Sequence, residues 1–165
     1  MTASHSQAIL GFLVGDPLNW SADWAWGLPL IVLNVIIHAL GLGLISRKVV
    51  RVTSATVGRH RIMYKFVLVL GSATLLGTIL HGIEAGIWAI AYRLLGALPD
   101  NKSAMLYSLN AITSYGHANL DLKEHWQLMG AIEALNGWLL FGLTTAFLFG
   151  VLERVWSSFG RGDHH

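Results

Sequence analysis

Residues 99–126 read PDNKSAMLYSLNAITSYGHANLDLKEHW and lie between two apolar segments, residues 66–98 and 126–156. Pro99-Asp100-Asn101 predicts the end of one helix and the start of another, because Pro cannot continue a helix and Asp or Asn can cap one. Residues 102–113 suit a short helix that cannot cross a bilayer. Residues 114–125 are polar. This order of long helix, short helix, polar segment and long helix decides the fold.

Three segments are apolar enough to be transmembrane helices. Residues 28–45 contain one ionisable group, His38, and residues 135–152 contain none. A run of about 18 apolar residues is sufficient to cross the hydrocarbon of a bilayer. Residues 66–98 are longer, and they fit either one tilted helix or a helix that breaks near Gly82 or Gly86. We expect three membrane-spanning helices.

Composition and charge argue against a soluble protein. Apolar residues make up 54% of the chain and charged residues 12%, against about 25% charged in soluble proteins. There is no cysteine, which excludes disulfides and thiolate sites. The basic residues concentrate between Arg47 and Lys65, with no acidic residue among them. Positive-inside topology explains this cluster better than nucleic-acid binding does, so we expect lipid partners and no nucleic acid.

The basic cluster also predicts the orientation of the chain. A cytoplasmic loop at residues 47–65 places the N-terminus outside, the short helix and polar segment outside, and the C-terminus in the cytoplasm. We expect an integral protein of a bacterial inner (plasma) membrane. The predicted regions are an extracytoplasmic segment (1–27), a peripheral transmembrane helix (28–46), the basic loop (47–65), a domain of two apolar spans with the short helix and polar segment between them (66–156), and a cytoplasmic tail (157–165).

The polar segment resembles the pore signature of potassium channels. Residues 108–119, SLNAITSYGHAN, align without gaps on S-L-x-T-x-T-T-x-G-Y-G-D. Ser108, Leu109, Thr113 and Gly116 match, and Ser114 takes the place of the second threonine. The resemblance covers residues 66–154 and implies that the domain at residues 66–156 is a pore domain. The first apolar segment lies outside it.

The resemblance implies an all-α membrane protein that is a channel and not an enzyme. Each chain is expected to supply a peripheral N-terminal helix, an outer helix, a re-entrant pore helix with a filter loop, and an inner helix. Four copies would form one pore, because each chain carries one pore loop. No cofactor is expected, and potassium or another monovalent cation is the permeant ion. The residues of the implied selectivity filter are Thr113, Ser114, Tyr115, Gly116, His117, Ala118 and Asn119. The residues implied to support the filter are Tyr107, Asn110 and Glu84. The implied gating hinge and pore-lining residues are Gly137, Phe141, Thr144 and Thr145.

Two of the departures from the family's filter bear most on function, those at positions 118 and 117. Ala118 stands where the second filter glycine is expected, and left-handed backbone costs a residue with a Cβ about 1–2 kcal/mol. We therefore expect weakened potassium selectivity. His117 stands where the family has tyrosine. It fits either a ring of four imidazoles at the pore mouth or packing behind the filter against Tyr107. Gly137 fits either a gating hinge or a close-packing position.

Ionisable residues within the apolar segments are candidate functional groups. His81 and Glu84 share one helix face, and Glu133 is expected at comparable depth. The three are candidates for a metal or proton site, although Glu84 fits equally a buried acceptor that braces the short helix. His38 is expected to lie about 12 Å from the depth of His81, at 1.5 Å per helical residue. We expect a helix-to-helix hydrogen bond for it.

A second function remains open from the sequence. The altered filter also fits a channel-like membrane subunit that does not conduct, or a metal- or proton-binding component of a larger membrane complex.

Overall fold

The computed structural model describes residues 17–54, 59–116 and 120–160, and these ranges contain helices and no strand. The helices are α1 (Pro17–Ser54), α2 (Arg59–Leu94), α3 (Asn101–Ile112) and α4 (Gln127–Gly160), with a 3-10 turn at Glu124–Trp126. Three of them are long and apolar enough to cross a membrane, over Trp20–Lys48, Phe66–Leu94 and Glu124–Arg154. The prediction of an all-α chain with three such helices is confirmed.

The basic segment differs from the loop predicted for residues 47–65. Helix α1 continues to Ser54 and α2 begins at Arg59, so most of this segment is helical. Lys and Arg are good helix formers, and residues 47–57 contain neither Gly nor Pro. The change from apolar to basic sequence therefore marks the end of an apolar span, while the helix itself extends further.

Helices α1 and α4 run in the same direction. Near their N-terminal ends, the Asp23 carboxylate accepts a hydrogen bond from the Met129 backbone N–H at 3.2 Å. Near their C-terminal ends, the Arg154 guanidinium donates to the Ser46 hydroxyl at 3.5 Å. The two helices therefore pair along most of their length, and α1 contributes side chains to the interhelical core.

Helix α2 is continuous and runs antiparallel to α4. Tyr92, near the end of α2, donates to Glu133 near the start of α4. His81, earlier in α2, lies beside Thr144, later in α4. The helix has no break at either glycine considered above, so the single long helix is the correct alternative.

A glycine in left-handed conformation ends α2. Gly96 has φ +63°, which glycine adopts without the steric cost of a Cβ. The Ala97 N–H donates to the Tyr92 carbonyl at 2.9 Å, and the Gly96 N–H donates to the Arg93 carbonyl at 3.1 Å. This pair of bonds is a Schellman motif, which satisfies the last carbonyls of the helix and turns the chain toward α3.

Helix α3 is capped at both ends by local hydrogen bonds. At its start, the Asp100 carboxylate accepts from the Ser103 N–H at 2.9 Å and from the Ser103 hydroxyl at 2.7 Å, as the sequence predicts. At its end, the Tyr115 N–H donates to the Asn110 carbonyl at 2.9 Å. Ser114 takes the left-handed conformation there, with φ +53°, so a second Schellman motif ends this helix without a glycine.

Helix α3 lies between α2 and α4 and ends near their middle. Its buried side is small and partly polar, with Ala104, Tyr107, Ser108, Ala111 and Ile112. Gly137 of α4 is in such close contact with the Ile112 carbonyl that a methyl group there would overlap its oxygen. Because Gly137 lies near the middle of the apolar span Glu124–Arg154, the last turn of α3 reaches the middle of that span.

Candidate functional site

A cluster of polar side chains joins α1, α2 and α4 at the centre of the three long helices. We call His38, His81, Glu84 and Thr144 the histidine cluster. His38 Nδ1 lies 2.8 Å from Glu84 Oε1, and His38 Nε2 lies 2.9 Å from Thr144 Oγ1. His81 Nε2 lies 3.1 Å from the same hydroxyl, and His81 Nδ1 lies 3.4 Å from Glu84 Oε2. The four groups form a closed ring of contacts.

The helices position these groups by register. His81 and Glu84 share one face of α2 because they are three residues apart. The matching faces of α1 and α4 present His38 and Thr144. His38 and Glu84 are fully buried, while His81 is 27% exposed. The partly exposed members of the cluster are therefore His81 and Thr144.

The hydrogen bonds within the histidine cluster are incomplete. The Oε2 atom of the buried Glu84 has no hydrogen-bond partner among the described residues, and its contact with His81 is longer than an ordinary bond. The hydroxyl of Thr144 lies 2.9 and 3.1 Å from the two imidazole nitrogens and can donate to one of them while accepting from the other. A cation or one additional proton would complete the ring.

These contacts settle two expectations for His38. The predicted hydrogen bond between helices is confirmed, since His38 contacts α2 and α4. The expected depth mismatch with His81 is wrong, because the two ring centroids lie 5.0 Å apart. That mismatch counted residues from assumed span ends, whereas α1 continues past Ile45 to Ser54 and α2 begins before Phe66.

A second buried cluster holds α3 in place. The Tyr92 hydroxyl donates to Glu133 Oε2 at 2.7 Å. The Ser108 hydroxyl contacts the other carboxylate oxygen of Glu133 and the Ala85 carbonyl, the latter at 2.7 Å. We call Tyr92, Ser108 and Glu133 the bracing cluster. It connects α2, α3 and α4 through side chains that are all fully buried.

The two buried carboxylates have different partners. Glu84 was expected either to share a metal or proton site with His81 or to brace α3, and it lies with His81 and hydrogen-bonds to His38 on α1. The contact with α3 belongs to Glu133. Glu133 also does not join the His81–Glu84 group, since the three side chains that converge are His38, His81 and Glu84. Both carboxylates lie in apolar helices, and only the helix packing shows which donor each one meets.

The other two proposed support residues lie on α3. Tyr107 is buried, with its ring edge-on to Tyr92 at a centroid distance of 5.3 Å. Its hydroxyl lies close to Gly130 of α4, where a methyl group would overlap it. Asn110 contributes its backbone carbonyl to the turn that ends α3. Tyr107 therefore packs α3 against α2 and α4.

The structure describes four of the seven proposed filter residues. His117, Ala118 and Asn119 lie outside the described residues. The Thr113 hydroxyl donates to the Leu109 carbonyl at 2.6 Å. The Ser114 hydroxyl accepts from the Trp138 indole N–H at 3.0 Å. Tyr115 is 83% exposed, and Gly116 has φ +96°, a conformation that L residues other than glycine rarely adopt.

The proposed hinge and pore-lining residues divide into two groups. Phe141 and Thr145 are exposed on α4, and the Thr145 hydroxyl donates to the Phe141 carbonyl at 2.8 Å. Thr144 is half-buried, and its hydroxyl contacts His38 and His81 of the histidine cluster. Gly137 lies in an unbroken helix against the Ile112 carbonyl, which favours the close-packing interpretation.

A cavity of about 500 Å³ connects the end of α3 with the histidine cluster. The α3 side contributes Ile112, Thr113 and Ser114, and the α2 side contributes Thr78 and His81. Gly137, Trp138 and Phe141 of α4 complete the lining. The C-terminal end of α3 carries the partial negative charge of the helix dipole. The cavity therefore favours a cation over an anion.

The sequence interpretation did not identify several residues of these clusters. Thr144 was assigned to the pore, Tyr92 was not singled out, and His38 was separated from His81 by depth. Asn34 and Asn136 were also missed; both are fully buried, and their amide atoms have no hydrogen-bond partner among the described residues. The sequence did offer a signal for these residues. Polar side chains are scarce in the apolar segments, and a polar side chain within a membrane-spanning helix usually has a functional or structural partner.

Comparison with known protein families, with curated proteins and with solved structures finds no match for this chain.

Proposed function

We propose that this chain forms the pore of a tetrameric channel that conducts monovalent cations passively. The observation that carries the proposal is the position of α3, which lies between α2 and α4 and ends near the middle of their apolar spans beside a cavity. A non-helical polar segment, Ser114–Gly116, follows it directly. Non-helical backbone at membrane depth is tolerated where it lines a watery cavity or is buried in protein, and ion filters are built from such segments.

The charge at the end of α3 supports cations as the permeant ions. The C-terminal end of α3 directs partial negative charge toward the cavity. Thr113 and Ser114 line the same space. In the proposed pore, backbone carbonyls of residues 113–119 replace part of the hydration shell of the ion. Ala118 disfavours the usual outer filter geometry, so weakened selectivity for potassium is part of the proposal.

Closure of the pore requires four copies, because one chain supplies a single filter segment. Large apolar residues are exposed on α4, among them Leu135, Trp138, Leu139 and Phe141. Such residues suit contact with lipid or with another copy of the chain. The proposed orientation has the N-terminus outside and the C-terminus in the cytoplasm of a bacterial inner membrane. Anionic lipids are proposed partners for the basic segment, residues 47–65.

The test is the reversal potential of purified protein in planar bilayers, with potassium on one side and sodium on the other. A weakly selective cation pore gives a current that reverses near zero. A reversal near the potassium equilibrium potential would show that the Ala118 filter still selects strongly. The absence of any current in protein that migrates as a tetramer in mild detergent would contradict the proposal.

A matched pair of glycine variants tests whether the filter segment carries the current. Gly116→Val places a branched side chain at φ +96°, so we expect current to be lost while the tetramer persists. Gly142→Ala is the control, since no atom lies within 4 Å of the added methyl group. Equal currents from both variants would contradict a conduction path through residues 113–119.

The histidine cluster favours a second candidate, a channel-like subunit that binds a metal or protons and does not conduct. Three potential ligands meet at one place, and one of them, His81, lines the same cavity as Thr113 and Ser114. A monomer or hetero-complex in mild detergent, together with absent current, would favour this candidate over the pore.

A further inference from the structure

We propose that His38, His81 and Glu84 form a binding site for one divalent transition-metal ion, represented by Zn²⁺. One nitrogen of each histidine and one carboxylate oxygen lie within 4.8 Å of one another. The three side chains come from two helices, and Thr144 from a third lies against both imidazoles. The site is independent of conduction, so it can be tested whether or not the chain is a channel.

The donor set suits a zinc-like ion. Two imidazole nitrogens and one carboxylate oxygen are a known ligand set for Zn²⁺ with one position left open. Metal–ligand distances of about 2.0–2.2 Å place the ligand atoms of a tetrahedral site roughly 3.3 Å apart. The Nδ1 atoms of His38 and His81 lie 2.8 and 3.4 Å from the Glu84 oxygens. Small side-chain adjustments would therefore be sufficient to admit the ion.

The burial of the site gives the ion a structural role. A buried carboxylate requires nearby positive charge or hydrogen bonds, yet the Glu84 Oε2 atom has no hydrogen-bond partner among the described residues. A bound cation would satisfy that oxygen directly. The Thr144 hydroxyl can donate to one imidazole and accept from the other, so Glu84 Oε2 is the atom of the cluster that hydrogen bonds leave unsatisfied. The metal thus completes the contacts that hydrogen bonds leave incomplete.

The cavity supplies access and a partner for the open position. His81 is the exposed member of the site and lines the cavity of about 500 Å³. Water or a hydroxyl from that cavity can take the fourth position of the ion. The excess positive charge of Zn²⁺ over one carboxylate faces the negative C-terminal end of α3, which lines the same cavity. The access route, the ligand atoms and the local charge therefore all favour a cation at this site.

The proposed experiment measures metal binding to the full chain, purified in mild detergent without a polyhistidine tag. Zn²⁺ is titrated calorimetrically, and Co²⁺ is used as a spectroscopic probe whose visible bands report a low-coordinate site. We expect one ion per chain, with Zn²⁺ displacing Co²⁺. Binding should weaken at acidic pH, because the histidines must be deprotonated to ligate.

Variants identify the ligands. His38→Gln, His81→Gln and Glu84→Gln should each abolish saturable binding. Thr144→Val should retain one site with an affinity lowered by about 10–100-fold, as for a group that orients a ligand. His125→Gln removes an exposed histidine outside the cluster, and the double variant H164Q/H165Q removes the terminal pair; both should bind as the parent does. Helical content and oligomeric mass are compared with the parent chain for every variant.

Three results would overturn the proposal. The first is the absence of saturable binding by the parent chain. The second is unchanged binding in E84Q or H81Q with parent-like folding. The third is loss of binding only in H164Q/H165Q, which would assign the ion to the terminal histidines. In the first case the histidine cluster is a hydrogen-bond network between helices. A channel that conducts but binds no metal would leave the proposed function intact.

Discussion

The contact between Gly137 and the Ile112 carbonyl predicts a large effect for Gly137→Ala. An alanine methyl group would overlap this carbonyl oxygen, and a backbone atom cannot rotate away as a flexible side chain can. Overpacking of this kind costs about 1–3 kcal/mol. Replacing a helical glycine by alanine also brings a propensity gain of roughly 0.5–1 kcal/mol. The net effect at Gly137 alone therefore mixes two terms of opposite sign.

Gly142→Ala separates these two terms. Gly142 lies on the same helix, and an added methyl group has no atom within 4 Å. The propensity gain is similar at both positions, so the difference between the variants reports the collision. We expect G137A to be less stable than G142A by about 1–3 kcal/mol.

The assay is unfolding in mixed detergent and SDS, followed by the fluorescence of the seven tryptophans. Oligomeric mass is measured beside it, because displacement of α3 should also disturb the proposed tetramer. Equal unfolding free energies, within about 0.5 kcal/mol, would refute the role of this contact in positioning α3. That result, with current lost in G137A, would instead favour the hinge interpretation of Gly137.

Two further predictions concern the ends of α3 and the bracing cluster. The N–H and hydroxyl of Ser103 hold the pKa of Asp100 below its usual value of 3.8. The ionised carboxylate therefore stabilises the start of α3 above pH 3.8. This contribution is lost as the pH falls through the lower pKa of the folded state. Asp100→Ala should remove that acid-dependent part of the thermal unfolding curve, and an unchanged pH profile would contradict it. Tyr92→Phe removes a buried hydroxyl that donates to Glu133 and should cost about 1–3 kcal/mol. Tyr64→Phe, at a side chain that is 67% exposed, is its control, and equal melting temperatures would count against the bracing role.

Hydropathy and helix-stop signals predicted the elements of this fold well. The three apolar helices follow from segment length, and the start of α3 follows from Asp100 as a cap. The C-terminal end of α1 and the N-terminal end of α2 were misplaced, because hydropathy reports the apolar span while the helices continue through Lys and Arg. The basic segment 47–65 illustrates this difference.

The partners of the buried polar groups could not be predicted to the same degree. Sequence shows that Glu84 and Glu133 lie in apolar segments, but a hydrogen bond between helices depends on their relative register. The depth estimated from sequence placed His38 about two helical turns away from His81, although their rings are neighbours. The filter interpretation rests on a resemblance, and three of its seven residues lie outside the described structure.

The order of the buried partners along the chain has a consequence for biosynthesis. Synthesis and membrane insertion proceed from the N-terminus, and a charged residue at the centre of an inserting helix costs about 2.5–3.5 kcal/mol. His38 precedes Glu84, and both Tyr92 and Ser108 precede Glu133. Each carboxylate therefore reaches the bilayer after its hydrogen-bond donors have been made. In this order α1 supplies the hydrogen-bond partner of Glu84 before α2 is synthesised.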